Sequence, residues 1–143
     1  TGVFTKRTNG NRGIEGDNNN PNNNADPRSN PTIKNATFIG SVTGEADGLK
    51  LREGTYATID NVVLSGWKTG INIEHDASVA YFNGKGKVTN VKFENIGTNA
   101  SVKASSGSTA VSLLDGTYTE NKNATGAGNG TATPAWAAGW AGL

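Results

Sequence analysis

One segment occurs three times in this chain: PTIKNATFIG from Pro31, ATIDNVVLSG from Ala57 and GKVTNVKFEN from Gly86. Aligned on Asn35, Asn61 and Asn90, the copies carry Ile33, Ile59 and Val88 two residues before the asparagine. Ala36, Val62 and Val91 follow it directly, and Phe38, Leu64 and Phe93 come three residues after it. The asparagines stand 26 and 29 residues apart. A period of this size, with one short β pattern per unit, marks a solenoid whose units stack to share a continuous core.

A second pattern lies between the copies, so each turn is expected to hold at least two strands. GLKLRE from Gly48 aligns with GINIEH from Gly70 and, more loosely, with GIEGD from Gly13. Alternating apolar and polar residues give a strand one buried face, which points Leu49, Leu51, Ile71 and Ile73 inward. In a parallel stack the outward residues form columns about 4.8 Å apart per step. Here the columns read Glu15, Lys50, Asn72 and Asp17, Arg52, Glu74, with alternating sign suited to cross-strand pairing. The asparagine column Asn35, Asn61 and Asn90 reads as a structural ladder, because an Asn at a bend bonds its own backbone or the amide stacked above it.

Twenty glycines and nineteen asparagines in 143 residues supply turn positions, while the 3.6-residue apolar rhythm of long helices is missing. The chain is therefore expected to be all-β and a single domain. A net charge of +1 gives no general attraction to nucleic acid or to acidic membranes. No apolar run approaches the ~18 residues of a transmembrane segment. Without cysteine there is no disulfide, thiolate metal site or thiol nucleophile.

The expected order is about four solenoid turns over residues 1–120, then a Gly, Ala and Asn-rich tail or cap over 121–143. Val3 and Phe4 are expected as a buried pair on an edge strand, and 17–31 as a long Asn-rich excursion. Turns are expected at 41–47 and 66–69, a lengthened turn or extra strand at 77–84, and a last strand at 109–113. Trp136 and Trp140, with Leu143, are expected to fold over the open end of the core. Because the chain starts at Thr1 with no atypical capping turn before the first repeat, it is expected to be a fragment of a longer chain.

The stretch RGIEGDNNNPNNNADPRSNPTIKNATFIG, with ADGLKLREGTYATIDNVVLSG and GINIEHD, resembles the C-terminal part of a family of secreted or surface lipoprotein-like proteins. These occur in marine and other Gram-negative bacteria and are built as right-handed parallel β-helices. The resemblance is close over residues 9–95. It extends to the family's Trp-x-x-Gly-Trp ending, matched by Trp136, Gly139 and Trp140. It implies a right-handed parallel β-helix, the hand general to parallel crossovers, and a secreted or outer-surface location. The family's upstream turns are missing here, so any site they form lies outside this sequence.

Several chemistries compete for the polar residues. Polysaccharide lyases and hydrolases need paired carboxylates, or carboxylates holding Ca²⁺ beside a proton-abstracting base. Asp17, Arg52, Glu53, Glu74, His75 and Asp76 are the candidates for such a cleft. The simpler reading sets Arg52 between Asp17 and Glu74, and Glu53 beside His75, as a neutralised ladder, and no catalytic residue is assigned. His75, the only histidine, stands between Glu74 and Asp76, but neighbours on a strand point to opposite faces and do not converge on a metal. Calcium held by Asp17 and Asp26 with loop carbonyls suits a flexible oxygen-rich loop, although the spacing matches no EF-hand or nonapeptide calcium repeat and the plainer reading is a solvated turn-rich loop with no cofactor. Tyr56, Trp67, Tyr81 and Trp136 are candidates for a platform on which sugar rings stack, against the plainer roles of core and cap.

Two functions lead from these residues. The first is an extracellular or cell-surface solenoid with a structural, adhesive or interaction role, its partners being other copies of itself or extracellular polysaccharide. The alternative is a carbohydrate-active enzyme with sites upstream, or a glycan-binding module without turnover. An enzyme predicts convergent carboxylates and a displaced pKa; a structural module predicts evenly compensated columns.

Overall fold

The structure is a computed structural model that describes residues 2–5, 10–41 and 47–139. The turn expected at 41–47 falls mostly outside these residues, as do Trp140, Leu143 and the Phe4 side chain. Val3 is half-buried.

The chain alternates between two parallel sheets. One holds β1 (Gly2–Thr5), β3 (Thr32–Ile39), β5 (Thr58–Ser65), β7 (Val88–Glu94) and β9 (Tyr118–Glu120), stacked in that order. The other stacks β2 (Arg12–Asp17), β4 (Asp47–Arg52), β6 (Thr69–Glu74) and β8 (Thr98–Lys103). Each strand pairs with the strand two elements on, so every full turn contributes one strand to each sheet. This is a right-handed parallel β-helix.

The repeat becomes register. Ile33, Ile59, Val88 and Tyr118 pair in sequence, as do Ala36, Val62 and Val91, and Phe38, Leu64 and Phe93. In the second sheet Ile14, Leu49, Ile71 and Ala100 form one column and Leu51, Ile73 and Val102 another. These columns make the core, with Phe38, Leu49, Ile59, Leu64 and Ile71 fully enclosed. Each such side chain contributes about 1.5–3 kcal/mol of transfer free energy.

Ile59 and Val62 are three residues apart, which in a straight strand sets them on opposite faces. Asn35, Asn61 and Asn90 take φ of 55°, 52° and 52°, and this left-handed bend returns the following residue to the interior. Asn tolerates that conformation better than most residues with a Cβ.

Three local expectations are corrected. Residues Asp76–Phe82 form a short helix, α1, in place of a lengthened turn or strand. His75, at φ 71°, ends the sheet direction, and the helical spacing of Val79 and Phe82 lets both bury against the core. The last strand is β9, because Tyr118 takes the inward place after Val88. Residues 109–113 form no strand, and Val111 and Leu113 remain exposed. The described part of the tail runs along the outer side of the five-stranded sheet. Asn121 N donates to Val91 O, Thr125 and Gly126 N to Asn61 Oδ1, and Ala127 N to Thr37 Oγ1, which itself donates to Gly130 O. Thr37 and Val63, which point outward, are thereby fully buried.

Among the described residues no helix is long and apolar enough to cross a membrane.

Candidate functional site

The outer face of the four-stranded sheet carries a cluster of ion pairs. The predicted columns hold in register, Glu15 beside Lys50 beside Asn72, and Asp17 beside Arg52. The bonds run diagonally as well as straight across. Lys50 Nζ lies 2.8 Å from Glu74 Oε1 and 3.8 Å from Asp47 Oδ2. Arg52 lies 2.7 Å from Glu15 and 3.0 Å from Asp17. Arg52 thus bridges two acids of the preceding turn, where the sequence reading set it between Asp17 and Glu74. Long side chains reach neighbours one step along the strand as easily as those directly opposite.

Asp47 and Arg12, which the sequence reading passed over, complete this face with Nε 3.1 Å from Oδ2. They border a shallow groove of about 230 Å³ shared with Lys50, Asn72 and Glu74. Burial works against the Glu74 charge, but the hydrogen bond and charge of Lys50, helped by Asn72 and Lys103, hold its carboxyl below the usual range. Burial likewise opposes the Arg52 charge, yet the Asp17 hydrogen bond and the charges of Asp17, Glu15 and Glu53 raise its pKa.

At the end of this sheet the chain turns through Glu53 and His75, both left-handed. His75 Nδ1 accepts from Glu53 N at 3.2 Å and lies 3.6 Å from Glu53 Oε1. The buried Glu53 carboxylate also accepts from Asn20 Nδ2 at 3.2 Å and Asn23 Nδ2 at 2.8 Å. The Asn-rich excursion is therefore docked on Glu53, a link that its composition alone did not signal. Asp76 bonds instead to residues 105–108. It accepts from Ser108 Oγ and Ser105 N, and those hydrogen bonds hold its carboxyl below the usual range. Hydrogen bonds from Asn90 and Thr89 do the same for Asp60.

The metal candidates stand apart in role. Asp17 is bound to Arg52, and Asp26 is exposed. Among the described residues no group of three His, Asp or Glu side chains is placed to hold a metal ion. In the asparagine column Asn61 Nδ2 donates to Asn35 Oδ1 at 2.8 Å. Asn90 turns instead to Asp60 Oδ1 at 2.7 Å and accepts from Asn121 Nδ2 at 3.3 Å.

The four aromatic candidates separate. Trp67 is 1% exposed, with its indole N–H donating to Phe38 O at 2.9 Å, and so offers no surface to a sugar. Gly40 leaves it the room: a Cβ there would meet the indole at 2.6 Å. Trp136 is exposed on the tail, its Nε1 donating to Ala127 O. Tyr56 and Tyr81 meet, their rings parallel within 8° and 3.8 Å apart. Arg28 lies 4.4 Å over Tyr56 and Lys87 5.3 Å over Tyr81. A ring already stacked on one side at 3.8 Å receives a cation on the other, so both faces of each tyrosine are covered. Arg28, Lys85 and Lys87 were missed by the sequence reading. The Lys85-Gly86-Lys87 triplet so soon after Tyr81 was the available signal; Arg28 arrives only through the docked loop.

A family model described as a pectate-lyase-like β-helix domain matches residues 1–141. The chain belongs to the pectate-lyase-like β-helix family. No curated protein and no solved structure matches it. The family accounts for the two-sheet coil and the stacked inward columns.

Proposed function

We propose that this β-helix is an extracellular, non-catalytic interaction module that holds extended polysaccharide against its side. One observation carries the reading: on the outer sheet face Lys50 and Arg52 are each clamped by acids of adjoining strands, so the charges join turns together. Asp60, Glu74 and Asp76 sit below the usual carboxylate range, which keeps them ionised and removes them as acids at neutral pH.

Family membership and the groove beside Lys50 support the enzymatic alternative, and one experiment separates the two. The purified chain is incubated with polygalacturonate, sulfated galactan and neutral galactan. New reducing ends and ultraviolet-absorbing unsaturated products are then followed, alongside affinity electrophoresis in gels containing each polymer. Retarded migration without product is expected. Product formation abolished by Lys50→Gln would overturn the non-catalytic reading.

Self-association belongs to the same proposal, because among the described residues β2 and β8 are the edge strands of their sheet. Sedimentation velocity over a concentration series is expected to show assemblies that grow with concentration. A single sharp monomer boundary throughout would remove that part.

A further inference from the structure

We propose that the groove over the Tyr56–Tyr81 pair is an anion-recognising saccharide site, formed where the Asn-rich loop, α1 and the entry to β7 bring Arg28, Lys85 and Lys87 around two stacked rings. This rests on the polysaccharide-holding reading and names the residues and the ligand chemistry.

The groove differs from the ion-paired face in how its cations are held. There, each cation named lies within salt-bridge distance of a carboxylate. In the groove, neither lysine nor Arg28 makes such a pair among the described residues. Arg28 is fixed by neutral acceptors: its guanidinium donates to Gly54 O at 2.9 Å, Asn23 O at 3.2 Å and Asn24 Oδ1 at 3.1 Å. Its charge is thus positioned without being neutralised. Lys85 and Lys87 line a depression of about 380 Å³ with Tyr56, Tyr81, Ala77 and Ala80.

The rings do not serve as a stacking platform, since each lies between its partner and a cation. They act as a rigid wall that spaces the cations. Both tyrosines line the depression beside the lysines. Two lysines beside small alanines, with Arg28 adding positive charge beyond Tyr56, match a sugar unit bearing a carboxylate or a sulfate ester. A neutral sugar would leave the cations uncompensated.

The test is binding by calorimetry at low salt, using oligogalacturonate, a sulfated galactan oligosaccharide and a neutral galactan oligosaccharide as probes. The proteins are the parent, the Lys85→Gln, Lys87→Gln double variant, and Lys122→Gln as a control on the exposed tail. The parent is expected to bind one or both anionic probes and not the neutral one. The double variant should bind about tenfold more weakly or worse, the control unchanged, and affinity should fall with salt. Which anionic probe binds tells carboxylate from sulfate. Equal binding by parent and double variant overturns the groove assignment and leaves the polysaccharide reading intact. Equal binding of the neutral probe overturns the anionic class. No binding of any probe, with no retardation in polymer gels, overturns the proposal together with the function it rests on.

Discussion

A single asparagine does two jobs at each bend, and Asn61 shows them apart. Its φ of 52° turns the strand, while its side chain donates to Asn35 and accepts from Thr125 and Gly126. Asn61→Gly keeps the bend and loses the side-chain bonds; Asn61→Ala loses the bonds and also meets the left-handed penalty of about 1–2 kcal/mol. Denaturant titration is therefore expected to show Asn61→Ala about 1 kcal/mol less stable than Asn61→Gly, with both below the parent. Equal losses would assign the column wholly to side-chain bonding. Trp67→Phe removes the donor to a buried carbonyl and part of the fill against Gly40, with an expected loss of about 2–3 kcal/mol.

At the scale of elements, two segments without regular structure are held by few, specific contacts. Asn23 binds the excursion to Glu53 and, through a second bond, to Asn19 O at 2.9 Å. Asn23→Ala leaves the buried Glu53 carboxylate with one donor fewer, an expected cost of about 1–2 kcal/mol. Limited proteolysis should cut within residues 18–30 several-fold faster. The tail docks equally closely. At Gly126, φ 57°, a Cβ would press on Thr37 Oγ1, Ala36 O and Val63. Gly126→Ala is thus expected to lift the tail from the sheet, which proteolysis reads as early cleavage after residue 120 while the β-helix itself resists. Unchanged cleavage would mean that the sheet yields to the extra methyl.

For the whole molecule the ionic face and the lowered carboxyls set the pH response. Asp60, Glu74 and Asp76 have folded-state pKa values below their ordinary ones. The unfolded chain therefore takes up these protons first. Their contribution is complete above the ordinary carboxylate range, near pH 4–5, and is lost as the pH falls through the lower folded values. Thermal melts should be flat from neutral pH down to that range and fall below it. Glu74→Gln should lower the neutral-pH melt by an amount equivalent to about 1 kcal/mol and flatten the acid limb. An acid limb identical to the parent's would show that Lys50 finds another partner, with Asp47 at 3.8 Å the nearest alternative.

The repeat was legible because a parallel coil writes its register into the chain: Ile33, Ile59 and Val88 recur because they must stack, and the asparagines because each turn bends at the same place. The outward columns were legible for the same reason. Local periodicity did not reveal α1, because its seven residues span only two turns and His75, at φ 71°, turns the backbone just before them. It also misplaced the last strand, since 109–113 has the alternation but no neighbour to pair with. The aromatic candidates looked alike in one dimension. Burial beside Gly40 made Trp67 core, and the crossing of the Asn-rich loop with α1 made Tyr56 and Tyr81 a cation-flanked pair. Sequence alone determined the coil, its inward columns and its bends, because these follow from contacts repeated at fixed spacing. Only the tertiary structure decided where loop and tail dock and which charges find partners, because such contacts join residues whose separation in the chain carries no period.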